Sequence, residues 1–212
     1  LALADLLMAR APRAGGLREF AAAPAPMVQA AAAAAAVAVT DSSLALQNPA
    51  VTREDLPALK AQALARVKPH KARPPEGSVP RELVRLSTWS RYALAVDAEL
   101  SRLYVFENTE AGPRLVQDFY ASVGKLGLDK TAEGDRRSPT GVYYLVTQYD
   151  RKRLFDIYGH GALALNYPNE FDRRVGRTGS GIWLHGAPSD NFARVSLATD
   201  GCIALANPDL DW

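Results

Sequence analysis

The sequence predicts a mainly β protein with a minor helical part, in which the main domain is a β-sandwich or barrel. From about residue 81 onward, short runs rich in aromatic and β-branched residues recur, as is typical of strands. Glycine and proline separate these runs, for example at Gly112-Pro113 and Ser138-Pro139. Because no regular helical segment lies between successive runs, the pattern argues against a doubly wound parallel sheet.

The candidate strands begin with a hairpin. Tyr92–Asp97 and Arg102–Glu107 are separated by a four-residue link, which predicts two antiparallel neighbours. The remaining candidates are short apolar runs beside turn signals: Leu115–Val123, Gly141–Thr147, Gly181–His185 and Cys202–Ala206.

Residues 1–45 resemble a leader. Basic residues precede an alanine-dominated stretch, residues 21–39, and the small polar run 40–43 follows it; this is the order found in a secretory signal. Alanine is less lipophilic than the residues of a membrane span of roughly 20 apolar positions. A signal peptide or membrane anchor and a plain low-complexity leader therefore both stay open, and we expect a chain that begins at Leu1 to be a fragment or a processed product.

Residues 46–80 are predicted to form a helix and a proline-rich linker. Asp55 is a suitable N-cap and Pro57 fits the first turn. The run 68–77 is dense in charge and proline, which favours an extended connector. The domain boundary is therefore expected near residue 80, with the main domain at 81–212. The apolar positions at helical spacing are Leu56, Leu59, Ala63, Leu64 and Val67.

Composition excludes several classes of function. The 212 residues include 25 basic and 23 acidic side chains for a net charge of +2, and the basic ones are scattered, so no nucleic-acid partner is expected. One cysteine and three histidines do not provide a disulfide framework and are a thin supply of ligands for a zinc site. No phosphate-binding glycine loop is complete. We expect neither a metal nor a cofactor.

The residues that carry chemistry are concentrated in the last 32 positions. Cys202 is a candidate nucleophile, and His185 is a candidate base that takes its proton and later returns it to a leaving amine. The glycine before the cysteine allows a sharp turn that directs N–H groups towards a developing oxyanion. A lone cysteine beside an apolar run also fits a buried small hydrophobe. A second His-Gly pair at His160 lacks a preceding apolar strand and is expected at the surface or along a substrate cleft.

Two separated motifs resemble the L,D-transpeptidase catalytic domain of the YkuD type. The first is His185-Gly186 followed by Thr199-Asp200-Gly201-Cys202-Ile203 and Asn207. The second lies upstream and comprises Lys130, the Glu133-Gly134-Asp135 run and Ser138-Pro139-Thr140-Gly141-Val142-Tyr143. The resemblance spans about residues 92–207 and says nothing about residues 1–80.

The resemblance implies an enzyme of the bacterial cell envelope, in the periplasm, that acts on peptidoglycan stem peptides without a metal or cofactor. Cys202 is expected to attack the carbonyl between an L-configured centre and a terminal D-alanine. His185 is then the general base and acid, Gly186 orients its imidazole, and the Gly201 and Cys202 amides form the oxyanion site. An amine resolves the thioester to give a cross-link, or water resolves it to give a trimmed peptide.

The chain departs from the family pattern beside the nucleophile. Many members have a histidine where this chain has Asp200 and an arginine where it has Ala204. The Thr-Asp-Gly-Cys-Ile form resembles the branch that contains L,D-carboxypeptidases of cell-shape control, which favours trimming over cross-linking. An envelope amidase that releases peptidoglycan-linked lipoprotein and a non-catalytic wall-binding module stay open as alternatives. The chain ends at Trp212, so a missing acceptor wall is a further expectation, and the sequence gives no oligomeric state.

A charged loop and the cleft borders supply the candidate substrate-binding residues. A zwitterionic stem peptide requires groups of both signs, although an ordinary solvated loop has the same composition. The candidates are Lys130, Glu133, Asp135, Arg137, Tyr167, Thr199 and Asp200.

Overall fold

A computed structural model describes residues 85–189 and 194–212, together with residues 74–75, 77–83, the backbone of 4–9 and several helical positions between 56 and 67. The described part consists mostly of strands with a few short helices, which confirms the predicted mainly β fold with minor α content. The alanine-rich stretch and Asp55 lie outside the described residues. All five apolar positions of the predicted helix, from Leu56 to Val67, are helical.

In addition to those helical positions, the described residues include ten strands, two short α-helices and two 3-10 turns, at Arg151–Arg153 and Asp156–Tyr158. The strands are β1 (Ala4–Ala9), β2 (Tyr92–Asp97), β3 (Arg102–Thr109), β4 (Gly112–Tyr120), β5 (Val123–Gly124), β6 (Gly141–Asp150), β7 (Gly161–Leu165), β8 (Trp183–His185), β9 (Leu197–Thr199) and β10 (Ile203–Ala204). The helices are α1 (Glu170–Arg174) and α2 (Asn207–Leu210). Eight strands form one sheet in the order β10-β8-β7-β6-β1-β2-β3-β4, and β5 pairs with β9.

The predicted strands match the structure best in the hairpin. β2 has the predicted bounds, and β3 pairs with it in antiparallel register as expected. Strand β4 ends at Tyr120, before the predicted end at Val123, because the chain leaves the sheet at Ala121 and resumes as the short β5. Two strands were not predicted, β7 and β9, and residues 4–9 add a third between β2 and β6.

Apolar side chains cover both faces of the β2–β3 hairpin. Side chains alternate between the two faces of a strand; Leu94 and Val105 belong to the main core, while Ala95 and Phe106 belong to a second cluster. The residues that cover this second face, Leu83 and Leu86, precede the domain's first predicted strand. Burial on both faces explains why the hairpin sequence is almost continuously apolar. Among the described residues, no helix is long and apolar enough to cross a membrane.

A buried ion pair fixes the segment that leads into β8. Asp172 is 0% exposed and accepts hydrogen bonds from the Arg177 guanidinium at 2.8 Å and the Tyr143 hydroxyl at 3.3 Å. Asn169 caps α1 by accepting from the Asp172 N–H, and the Asp172 carboxylate accepts from the Asn169 N–H in return. Burial and the neighbouring carboxylate raise the pKa of Tyr143. One carboxylate therefore joins β6, α1 and the loop after it.

Candidate active site

Strand β8 carries His185, and Cys202 lies directly before the neighbouring strand β10. The two strands are parallel, with Leu184 opposite Ile203 and His185 opposite Ala204. Cys202, one residue before β10, is therefore level with Trp183. Because side chains alternate along a strand, Trp183 and His185 share one face of β8. The two candidate groups thus come from neighbouring strands at one edge of the sheet.

The ring of His185 is held in one tautomer. It is 8% exposed, and its Nδ1 lies 2.6 Å from the carbonyl oxygen of Gly186. A carbonyl oxygen can only accept, so Nδ1 carries the proton. In the neutral ring Nε2 is then the basic nitrogen. This is the nitrogen required of a general base.

The thiol of Cys202 is partly exposed and is the free cysteine of the protein. It donates a hydrogen bond to the carbonyl oxygen of Gly181 at 3.4 Å. The pKa of the thiol is raised, mainly because the group is buried. The Asp200 charge adds to this increase, whereas the backbone N–H of Trp183 and the Lys130 charge oppose it. The resting sulfur is therefore a protonated thiol.

The imidazole is also neutral at rest. Burial lowers the pKa of His185 to about 4, against a hydrogen bond to the Gly186 carbonyl that acts to raise it and an Arg194 charge that lowers it further. A neutral thiol and a neutral imidazole need no prior ion pair for acyl transfer if the thiol proton moves to the ring as the sulfur attacks a carbonyl.

If His185 is the base that the sequence predicts, the pH dependence of the expected acyl transfer follows from these two shifts. The imidazole must be unprotonated to accept a proton, so we expect kcat/KM to stay level from neutral pH down to about pH 5, one unit above the lowered histidine pKa. The measurement is kcat/KM for D-alanine release from a tetrapeptide substrate between pH 4 and pH 8. A stability check at each pH is needed, because a histidine pKa below its unfolded value of about 6.5 makes folding less favourable as the pH falls. An acid limb centred near 6.5 in protein that stays folded would contradict the neutral pair.

Thr199 and Ser138 hold the backbone around Cys202. The Thr199 hydroxyl donates to the Cys202 carbonyl at 2.6 Å and accepts from the Gly201 N–H at 3.2 Å. The Ser138 hydroxyl donates to the Gly201 carbonyl at 2.7 Å and accepts from the Gly124 N–H at 3.0 Å. The upstream Ser-Pro-Thr-Gly motif therefore contacts the Gly-Cys motif directly.

Gly201 cannot be replaced without strain. Its φ is +129°, and a Cβ there would lie 2.8 Å from the Arg137 carbonyl oxygen. This region of backbone conformation and the close approach of a second chain segment both require glycine. The turn that presents Cys202 is thus built around a residue without a side chain.

Removing the Ser138 hydroxyl should destabilise the protein. Ser138 is 0% exposed, so Ser138→Ala leaves a buried carbonyl and a buried N–H without their partner, and we expect a loss of about 2–4 kcal/mol in the free energy of unfolding. Urea denaturation followed by circular dichroism measures this. Ser87→Ala is the matched control, because Ser87 is exposed and accepts one bond from the Trp89 N–H; its loss should be under about 0.5 kcal/mol. Equal stabilities of the two variants would contradict the assigned contacts.

An aromatic group that sequence analysis missed borders both candidate residues. The ring of Tyr158 lies 5.2 Å from His185 in an edge-on arrangement and 4.8 Å from Trp183. Burial raises the pKa of Tyr158, and the charge of the Cys202 thiolate raises it further. Trp183 is partly exposed. No local motif marks Tyr158, since its contacts come from a short turn far from the two motifs.

Arg194 braces the end of β10 and was also missed. Its guanidinium is buried and donates to the carbonyl oxygens of Ala204 and Leu205 and to the Ser122 hydroxyl, at 3.0, 3.1 and 2.8 Å. The Leu205 N–H in turn donates to the His185 carbonyl. The arginine thus stabilises the strand that follows Cys202.

The predicted substrate-binding residues fall into two groups. Lys130, 3% exposed, donates to Asp135 at 2.8 Å, and Tyr167 is buried with its hydroxyl on the Thr178 carbonyl. Burial acts to raise the pKa of Asp135, but hydrogen bonds from Lys130 and three backbone N–H groups bring it well below its usual value. The Arg137 side chain donates to the Leu128 carbonyl. These polar atoms are committed to contacts within the protein.

Two carboxylates of the predicted set remain at the surface. Glu133 is exposed, and Asp200 is exposed beside Lys125, whose Nζ lies 3.1 Å away. The second His-Gly pair is also on the outside, where His160 Nδ1 lies 2.7 Å from Asp211. Within the part of the chain that the structure describes, no three His, Cys, Asp or Glu side chains are grouped so as to hold a metal ion.

Comparisons with known proteins agree with this architecture. The family model of the YkuD L,D-transpeptidase catalytic domain matches residues 91–212, more than half of the chain. The search of curated proteins found no match.

Several solved structures are similar to the chain. The helical cell shape determining protein Pgp2 from Campylobacter jejuni is 34% identical with a TM-score of 0.50, over 56% of this chain and 41% of that one. A mutant of Pgp2 is 33% identical with a TM-score of 0.51, over 57% and 41%. Bd1075 from Bdellovibrio bacteriovorus is 34% identical with a TM-score of 0.48, over 57% and 42%. The match thus spans less than half the length of these proteins. The chain belongs to the YkuD family of L,D-transpeptidase catalytic domains.

Proposed function

We propose that the protein is a cysteine-dependent acyl-transfer enzyme that cleaves the bond between an L-configured centre and the terminal D-alanine of a peptidoglycan stem peptide. The observation that supports this proposal is the parallel β8–β10 pair, which puts the partly exposed Cys202 directly before the strand neighbouring His185, whose buried ring has one fixed tautomer. Family membership supports a reaction related to peptidoglycan. Its place of action is the periplasm or cell envelope.

The first half-reaction forms a thioester. The Cys202 sulfur attacks the carbonyl carbon while its proton moves to Nε2 of His185. The oxyanion is stabilised by the Cys202 N–H, because the Gly201 N–H already donates to Thr199. The intermediate then breaks the carbon–nitrogen bond, and the proton on His185 passes to the amine of D-alanine as it leaves.

The second half-reaction decides between trimming and cross-linking. Water or an amine of a second stem peptide attacks the thioester, and His185 removes the proton from that nucleophile. The carbon–sulfur bond then breaks, and the proton passes from His185 to the leaving Cys202 thiolate. We favour water, which makes the protein an L,D-carboxypeptidase. Asp200 stands where many relatives carry a second imidazole and is held at the rim by Lys125. The names of the similar Pgp2 structures mention cell shape, and we extend that role to this protein as part of the proposal.

We propose that exposed charged residues take part in substrate recognition. The exposed carboxylates of Glu133 and Asp200 are suited to a cationic amine of the stem peptide. Lys130, Asp135, Arg137, Tyr167 and Thr199 contribute by shaping the walls through the contacts described above.

The test is incubation with purified disaccharide tetrapeptide, followed by measurement of free D-alanine and mass analysis of the products. A disaccharide tripeptide is expected for the carboxypeptidase and a cross-linked dimer for the transpeptidase. Release of lipoprotein from labelled sacculi without D-alanine would assign the amidase instead. Binding to sacculi without any turnover would leave a wall-binding module.

A further inference from the structure

We propose that Asn207 is a positioning residue that sets the tautomer of His185 by fixing one peptide unit. The proposal rests on the proposed function, in which His185 is the base. Asn207 lies at the start of α2, a helix of four residues, and is separated from the imidazole by the turn at Gly186-Ala187. Asn207 itself takes no part in forming or breaking bonds or in moving the proton.

The Asn207 amide makes three hydrogen bonds to the backbone of two other segments. Its Oδ1 accepts from the N–H of Ala187 and from the N–H of His160, both at 3.1 Å. Its Nδ2 donates to the Ala187 carbonyl at 3.0 Å. The side chain thereby ties the turn after β8 to the turn before β7.

Two glycines leave the space that this amide occupies. A Cβ added to either Gly159 or Gly186 would overlap Asn207 Oδ1. The two glycines belong to different turns, so the close approach is not a property of one local motif. The amide and both turns are packed together too closely for another side chain to fit between them.

The link to His185 runs through a single peptide plane. The carbonyl of Gly186 and the N–H of Ala187 belong to the same rigid unit. At one side of this unit the carbonyl accepts from His185 Nδ1, and at the other side the N–H donates to Asn207 Oδ1. A rotation of the plane would turn the carbonyl away from the ring. Asn207 therefore controls whether Nδ1 or Nε2 carries the proton.

An asparagine meets the needs of this position better than an aspartate. The Ala187 backbone offers both a donor and an acceptor to the side chain. A carboxylate can satisfy the N–H but would face the carbonyl with a second oxygen. The bond from the Ala187 N–H to the side-chain oxygen holds the peptide plane, and Asn207→Asp keeps this bond. The variant loses only the bond from Nδ2 to the Ala187 carbonyl.

The test combines tautomer and rate measurements on the full chain. Nitrogen-15 NMR of histidine-labelled protein reports which ring nitrogen is protonated, and the His185 signals are assigned with His185→Gln. In wild type we expect the neutral ring to be protonated at Nδ1. In Asn207→Ala we expect a mixture of tautomers and a kcat for D-alanine release lower by about 10–100-fold at similar KM. In Asn207→Asp we expect the Nδ1-protonated form to be retained and most of the rate recovered.

Asn108→Ala is the matched control for a loss of stability alone. The Asn108 amide likewise bonds two backbone carbonyls, of Ser87 and Ser90, but lies in β3. The Asn108→Ala variant should have a lower melting temperature than wild type, with the tautomer of His185 and kcat unchanged. An unchanged tautomer in folded Asn207→Ala, or equal effects of the Asn207 and Asn108 variants on the ring, would overturn the proposal. Failure of wild type to release D-alanine would reject the proposed function, while the NMR result would still decide the role of Asn207.

Discussion

Replacing Cys202 with alanine is expected to lower the rate of D-alanine release from disaccharide tetrapeptide by at least about 10,000-fold. In the proposed mechanism the sulfur forms the covalent bond to the acyl group, so without it the remaining groups have no nucleophile to activate. The measurement is single-turnover release with excess protein.

The same variant should remain folded. The thiol donates a hydrogen bond to the Gly181 carbonyl, and the loss of this bond is worth about 1 kcal/mol. His185→Gln serves as a second probe, because it keeps Cys202 but removes the base. If Cys202→Ala protein still released D-alanine at a rate within tenfold of wild type, Cys202 would not be the nucleophile.

Replacing Asp172 with alanine is expected to destabilise the protein by about 3–5 kcal/mol. The substitution leaves the Arg177 guanidinium without the carboxylate that it contacts and removes the acceptor of the buried Tyr143 hydroxyl. It also removes the carboxylate half of the α1 capping box. Urea denaturation at neutral pH measures the free energy of unfolding.

Glu170→Ala provides the control on the same helix. Glu170 pairs with Arg174 four residues later, and both side chains are largely exposed. Such a pair contributes under about 0.5 kcal/mol. If Asp172→Ala does not fold, Asp172→Asn retains a polar side chain of the same size and should show an intermediate loss. Equal stabilities of the Asp172→Ala and Glu170→Ala proteins would contradict the claim that the buried carboxylate of Asp172 stabilises the fold more than the exposed one of Glu170.

The outline of the fold is predictable where the pattern of side chains is strong. The β2–β3 hairpin is dense in aromatic and β-branched residues on both faces, and the structure has it at the predicted place. By contrast, β7 is the run Gly-Ala-Leu-Ala-Leu, which contains no β-branched or aromatic residue. Such a segment has a weak intrinsic strand preference, so its strand structure depends on pairing with β6 and β8.

The candidate site is only partly predictable for a related reason. Cys202 and His185 stand next to glycines in recognisable motifs, and the sequence marks both. Tyr158 and Arg194 act through contacts with segments that are distant in sequence, and nothing near them signals a role. Lys130 shows the opposite case: its charge in a polar loop predicts an exposed binding group, whereas its ion pair with Asp135 is buried. Charge in a sequence does not reveal whether a partner will cover it.

The contact between the two motifs explains why they occur together. Ser138 and Gly201 are far apart in the chain, yet one hydroxyl joins the Gly201 carbonyl to the Gly124 N–H. The upstream motif is thus part of the support of the nucleophile, in addition to its place at the start of β6. The requirement for glycine at position 201, where φ is +129°, belongs to the same arrangement.

Capture of the acyl group by hydroxylamine is the most direct test of the central claim, that Cys202 forms a thioester with His185 as its base. Tetrapeptide is incubated with the protein and increasing hydroxylamine, and both D-alanine and the tripeptide product are quantified. If a Cys202 thioester forms, tripeptide hydroxamate should replace tripeptide acid. The rate of acylation, measured as D-alanine released in the first turnover, should stay constant. Release of D-alanine with no hydroxamate at any concentration of hydroxylamine would contradict the central claim.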